Sequence, residues 1–94
     1  MKVEFHPEVD ADLLEIAAYI AEDDPVAALA WVEKLVARAE RVGVNPRAGR
    51  IVPELRDPSV REVIQGNYRI VYRIDRARIL VLVIFEAHRR LPLR

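Results

Sequence analysis

The chain has 94 residues, 52% of them hydrophobic and 32% charged, which suits one ordered core and is too little for two, so a single domain over 1–94 is expected. The absence of cysteine excludes a disulfide framework, a thiolate metal site and a catalytic thiol. The formal net charge of zero hides a dipole: up to residue 45 only Lys2, Lys34, Arg38 and Arg41 oppose ten acids, whereas eleven arginines oppose five acids beyond it.

Lys2 to Phe5 alternates weakly and reads as a short strand stopped by Pro7, which also suits the first position of a helix. Val9, Leu13, Ile16 and Ile20 recur at offsets of 4, 3 and 4, an apolar helical stripe, with Glu8, Asp10 and Asp12 in the first turn where the macrodipole favours anions. Asp24 is the expected N-cap and Pro25 the first residue of a second helix running to about Val42, with Ala28, Val32, Leu35, Val36 and Ala39 as its stripe and Gly43 as the residue beyond its end. A link this short makes the two helices an antiparallel hairpin.

Asn45-Pro46-Arg47-Ala48-Gly49 is a turn cluster leading to an extended segment at Ile51 to Leu55, and Asp57-Pro58-Ser59 is another turn. Gly66-Asn67 separates two β-branched and aromatic runs, Val60 to Gln65 and Tyr68 to Ile74, and predicts a β-hairpin. In its second arm Tyr68, Ile70, Tyr72 and Ile74 fall on one face and Arg69, Val71 and Arg73 on the other, so one face is expected to be core and the other cationic. The unbroken apolar run Ile79 to Phe85 predicts a central strand covered on both faces. The tail, Leu91-Pro92-Leu93-Arg94, is too short for structure of its own. The expected architecture is α+β in the order β-α-α-β-β-β, an N-terminal helical hairpin packed on a twisted antiparallel sheet.

No apolar signal region opens the chain, and the longest apolar run is far shorter than the ~20 residues of a membrane helix, so the cytoplasm is the expected location and no membrane partner is expected. No His/Asp/Glu spacing points to a metal, no glycine-rich loop to a phosphate, and no cofactor is expected. Thirteen of the fifteen basic residues are arginine, whose planar fork suits carboxylate or phosphate recognition; a GC-rich genome or thermophily would give the same bias.

The element order, Val52-Pro53-Glu54-Leu55, Arg61-Glu62, the strand Tyr68-Arg69-Ile70-Val71-Tyr72-Arg73 and the closing His88-Arg89-Arg90 together resemble the RelE/ParE superfamily of bacterial type II toxin–antitoxin toxins. Asp12-Leu13, Ile16, Tyr19-Ile20 and Ala27-Ala28 are similar to that pattern too, so the likeness spans nearly the whole chain. The resemblance implies a growth-arresting toxin, of the kind associated with plasmid stabilization, held inactive by a cognate antitoxin as a homodimer or heterotetramer. One branch cuts mRNA on the ribosome; the other poisons DNA gyrase without hydrolysis. Fold alone does not choose between them.

RNA cleavage needs a base for the ribose 2′-hydroxyl, cations for the phosphorane and an acid for the leaving oxygen. Likeness to the nuclease branch implies Glu54 as base, Arg61 and Arg69 as charge stabilisers and His88 as acid. Arg69 has a second reading, in which it holds an internal carboxylate such as Glu62 or Glu86. A two-residue turn at Gly66-Asn67 pairs Ile64 with Arg69 and sends Arg61 to the Tyr72 face; a three-residue turn brings Arg61 and Arg69 together. The chain lacks an aromatic residue after Phe85 and has only two lysines, which departs from ribosome-bound nucleases and favours the gyrase branch. On that reading Arg69, Arg73, Arg89 and Arg90 bind the target. Trp31, off the core stripe of the second helix, is the candidate antitoxin anchor, against ordinary packing at the core edge.

Overall fold

The computed structural model describes residues 1–93; Arg94, the end of the tail, lies outside them. Strand β1 (Lys2–Phe5) leads to helix α1 (Val9–Ala21). Helix α2 (Pro25–Arg41) starts where the Asp24 carboxylate accepts from the Ala27 N–H at 3.1 Å, satisfying one of the free donors of the first turn. Of the two stripes, Val9, Ile16, Ala28, Leu35 and Ala39 are buried, and Leu13 and Ile20 pack at the edge of the same core.

Gly43 does not end α2 in a left-handed turn. The chain tightens into a 3-10 turn at Val42–Val44, and Gly66 is the one described glycine with positive φ. The segment expected to extend over Ile51 to Leu55 is also different. Strand β2 is only Arg50–Ile51, because Pro53 has no N–H to offer a ladder and the chain then folds back, with Leu55 and Arg56 both donating to the Val52 carbonyl.

Strands β3 (Val60–Gln65), β4 (Tyr68–Ile74) and β5 (Arg78–Glu86) complete a five-stranded sheet of order β1-β5-β4-β3-β2. The last four strands pair antiparallel, but β1 lies parallel to β5, with Lys2 opposite Arg78 and Phe5 opposite Val81, so the sheet is mixed. The β3–β4 turn has two residues: Gln65 faces Tyr68 and Ile64 faces Arg69. Gly66 takes φ 60°, and a side chain there would also collide with the Trp31 ring. The α1–α2 hairpin covers one face of the sheet, where Val63, Ile70, Tyr72, Ile79, Val81 and Ile84 meet the helices. Two helices on one face of a largely antiparallel sheet make the fold α+β, as the element order predicts.

Candidate functional site

The face of the sheet away from the helices was expected to be cationic, and it is not. Val52, Val60, Val71, Val83 and Phe85 form a second apolar cluster there, partly roofed by Leu82 and Leu91. Within it Arg69 is 7% exposed and Glu62 is 1% exposed. The register explains their meeting. Glu62 and Ile64 of β3 face Val71 and Arg69 of β4, so Glu62 and Arg69 are diagonal neighbours on one face.

Arg69 is held by two carboxylates. Its Nε donates to Glu62 Oε1 at 2.7 Å, while Nη1 and Nη2 donate to the two Glu54 oxygens, each at 2.9 Å. Its guanidinium also lies 4.9 Å over the Phe85 ring. Arg50, across from Glu62 in β2, donates Nε to the other Glu62 oxygen at 2.5 Å. The result is a neutral ladder, Arg50–Glu62–Arg69–Glu54, that crosses the sheet and ties the 53–57 turn down onto it. The Arg69 hydrogen bonds hold the Glu54 carboxyl at a pKa of about 2, against the opposing effect of burial.

Arg61 lies on the other face, paired with Tyr72. It serves the backbone: Nε donates to the Pro58 carbonyl at 3.0 Å, and Nη1 to the carbonyls of Arg47 and Gly49 at 3.2 and 3.1 Å. Beside it the buried Tyr72 hydroxyl donates to the Pro46 carbonyl at 2.6 Å, and burial pushes its pKa up, so it stays a donor. Gly49 is required here, since a side chain would overlap the Tyr72 oxygen. Together Arg61 and Tyr72 bind the carbonyls of Pro46, Arg47 and Gly49 in the connection that leads into β2.

The remaining candidates scatter. His88 is exposed, its imidazole 3.9 Å from the Glu86 carboxylate. Arg89 makes an exposed pair with Glu15 of α1 at 3.3 Å, and Arg90 is exposed with no acidic partner among the described residues. Arg73 is half-buried and adds a minor attraction to Asp57, whose pKa is lowered chiefly by the Ser59 N–H and hydroxyl. Trp31 is half-buried against Gly66 and stands edge-on to Tyr68 at 5.8 Å between ring centres. Two roles are not foreseen in the sequence, that of Arg50 and that of the Tyr72 hydroxyl. Arg50 could have been found only with the β2 register in hand, whereas the Tyr72 hydroxyl was signalled by a tyrosine inside an otherwise apolar face.

Among the described residues no group of acids and histidines could hold a metal ion, and no helix is long and apolar enough to cross a membrane. A groove of about 570 Å³ runs between α1 and the hairpin end of the sheet, with Tyr19, Tyr68 and Phe85 in its walls and Asp12, Glu15 and Glu86 on its polar side.

The same arrangement of helices and sheet is found in toxin–antitoxin assemblies. The chain resembles the chromosomal ParDE toxin–antitoxin system of P. aeruginosa with a TM-score of 0.76 and 22% identity, over 92% of this chain and 95% of that one. It resembles the RelBE2 toxin–antitoxin complex of Mycobacterium tuberculosis with a TM-score of 0.57 and 23% identity, over 90% and 95%. No curated protein matches. Residues 3–91 match the ParE toxins of parDE type II toxin–antitoxin systems, and the chain belongs to that family.

Proposed function

We propose that this chain arrests growth by the ParE route, binding DNA gyrase without cutting a nucleic acid, and that a cognate antitoxin neutralises it. The observation that carries the choice is the mutual capture of Glu54 and Arg69. A carboxylate with a pKa of about 2 is a poor base at neutral pH, and a buried arginine whose charge is already shared between two carboxylates is a poor stabiliser of a phosphorane. Arg61 is bound to backbone on the opposite face, so the four candidate nuclease residues do not converge. Arg69 accordingly leaves the proposed target-binding set, and the exposed arginines Arg89 and Arg90, with Arg73 at the sheet face, remain in it. The Arg89–Glu15 pair is exposed at both ends and is weak enough to be exchanged for a partner's carboxylate.

The acidic helical hairpin supports a protein partner. Leu14, Tyr19, Val26 and Leu29 are all more than 60% exposed on its two helices, a surface on which an amphipathic segment of an antitoxin can fold.

Expression in bacteria followed by assays of purified gyrase tests this. Inhibition of supercoiling together with an SOS response is expected, and Arg89→Glu with Arg90→Glu is expected to weaken it. Cut mRNA with intact supercoiling would instead point to the RelE-like ribosome-dependent endoribonuclease and overturn the proposal.

A further inference from the structure

The groove between α1 and the hairpin end of the sheet has no part in the proposed function. Its volume of about 570 Å³ is that of a small-ligand pocket, and it is bounded by α1 through Glu15 and Tyr19, by the sheet through Tyr68 and Glu86, and by the C-terminal segment through Arg89 and Pro92. Asp12 and Ile84 line it as well. Strand β1 ends opposite Val81, so beyond that point β5 has no strand on this side, and the Ile84 N–H donates instead to the Asp12 carboxylate at 3.1 Å. The N–H and C=O of one strand residue point the same way, so the Ile84 carbonyl also faces the space that β1 leaves.

The polar side of this groove is rich in acceptors. Glu15 uses one carboxylate oxygen for Arg89 at 3.3 Å, and Glu86 uses one for the His88 N–H at 3.1 Å. The second oxygen of each has no hydrogen-bond donor among the described residues. Facing them are rings: Tyr19 is 72% exposed and Tyr68 half-buried. Burial, then the nearby Glu86 and Tyr19, push the Tyr68 pKa up, so its ring stays neutral beside the carboxylates. Carboxylates set against aromatic faces suit an organic cation, which pairs with the first through its nitrogens and lies against the second. A metal ion does not suit them, since among the described residues no group of acids and histidines could hold one. The molecule contains one instance of the match, the Arg89 guanidinium seated on Glu15 at the rim.

We propose that this groove binds a small linear organic dication, an alkyl chain with a guanidinium or ammonium group at each end. One end takes Glu15 in place of Arg89, the other takes the free oxygen of Glu86, and the methylenes lie against Tyr19 and Tyr68. The exchange at Glu15 replaces one cation by another and gives up a pair that is exposed at both ends, so little opposes it. A helical segment is a poorer occupant, because a helix with its side chains is about 10 Å across and the C-terminal segment already walls one side. Occupancy leaves Arg89 free for the target, and that consequence alone rests on the proposed function.

The test is titration of the full chain with agmatine, which carries a guanidinium and an ammonium at the two ends of a short alkyl chain, followed by amide and tyrosine-ring NMR shifts. Binding with a dissociation constant of about 1 mM or tighter is expected, with shifts centred on Ile84, Glu86 and Tyr68. Adipate, a dicarboxylate of similar length, should not bind, and a capped arginine with a single cation should bind more weakly than agmatine. Glu15→Gln with Glu86→Gln should weaken binding by about tenfold or more while the urea midpoint stays close to that of the unaltered chain. Arg89→Ala should tighten it by up to about fivefold, because the resident competitor is gone. Equal binding of adipate, unchanged affinity in the double variant, weaker binding in Arg89→Ala, or a tighter hold on the capped arginine than on agmatine would each overturn the proposal. Gyrase inhibition is measured separately without the amine: its absence counts against the proposed function only, and failure of agmatine to bind counts against the groove only.

Discussion

The two faces of the central sheet solve one problem in different ways. On the helix side α1 and α2 bring a layer of aliphatic side chains, and Tyr72 and Arg61 can use their polar atoms to hold the Pro46–Ile51 connection. On the far side the described residues form no second layer. A valine cluster is closed by one turn, and that turn is held by charges that share hydrogen bonds within the sheet. Arginines that look available in the sequence are therefore structural where cover is scarce.

Substitutions on the far side should act through charge. Glu62→Ala leaves Arg69 buried with half its partners and frees Arg50, and is expected to cost about 3 kcal/mol in urea unfolding, near the range for breaking a buried pair. Pairing it with Arg69→Met should recover part of that loss, because an apolar residue of similar volume suits the valine cluster. A double variant no more stable than Glu62→Ala alone would mean that the ladder contributes more than its charges. On the helix side Tyr72→Phe should cost about 1–2 kcal/mol by leaving the Pro46 carbonyl without its donor, with faster amide exchange confined to 46–51.

Acid separates the two faces more gently. Glu54 has a folded pKa of about 2, below its ordinary value of 4.5, so the protein gains stability from it above pH 4.5 and loses that gain as pH falls toward 2. Its side chain is 43% exposed, which screens the effect, so a modest drop in midpoint is expected on acidification. Glu54→Gln should flatten that part of the pH profile. The smallest effect is at the surface: Glu15→Gln, which removes the Arg89 pair, should change stability by no more than about 0.5 kcal/mol.

Much of this was legible in the residues. Pro25 after Asp24, the two stripes and the Gly66-Asn67 break are local signals, and each produced its element. The hairpin register came down to one residue of turn length, and that residue decided on which side Arg61 fell. Of the internal carboxylates expected for Arg69, it holds Glu62 and not Glu86, which lies opposite Tyr68; Glu54 was not readable, because its approach depends on a turn that replaces the expected strand after Ile51. The parallel placement of β1 was hidden too, since nothing local in Lys2 to Phe5 specifies a partner more than seventy residues away.

The pairing of β1 with β5 has a consequence for synthesis. Both hairpins are local and can close early, whereas Lys2 to Phe5 must wait for Arg78 to Val81, the contact with the largest loop to close. A nascent chain therefore carries an incomplete sheet until Arg78 to Val81 have left the ribosome. Until then β1 has no strand to pair with, so the toxin closes this edge of its sheet only after β5 has been made.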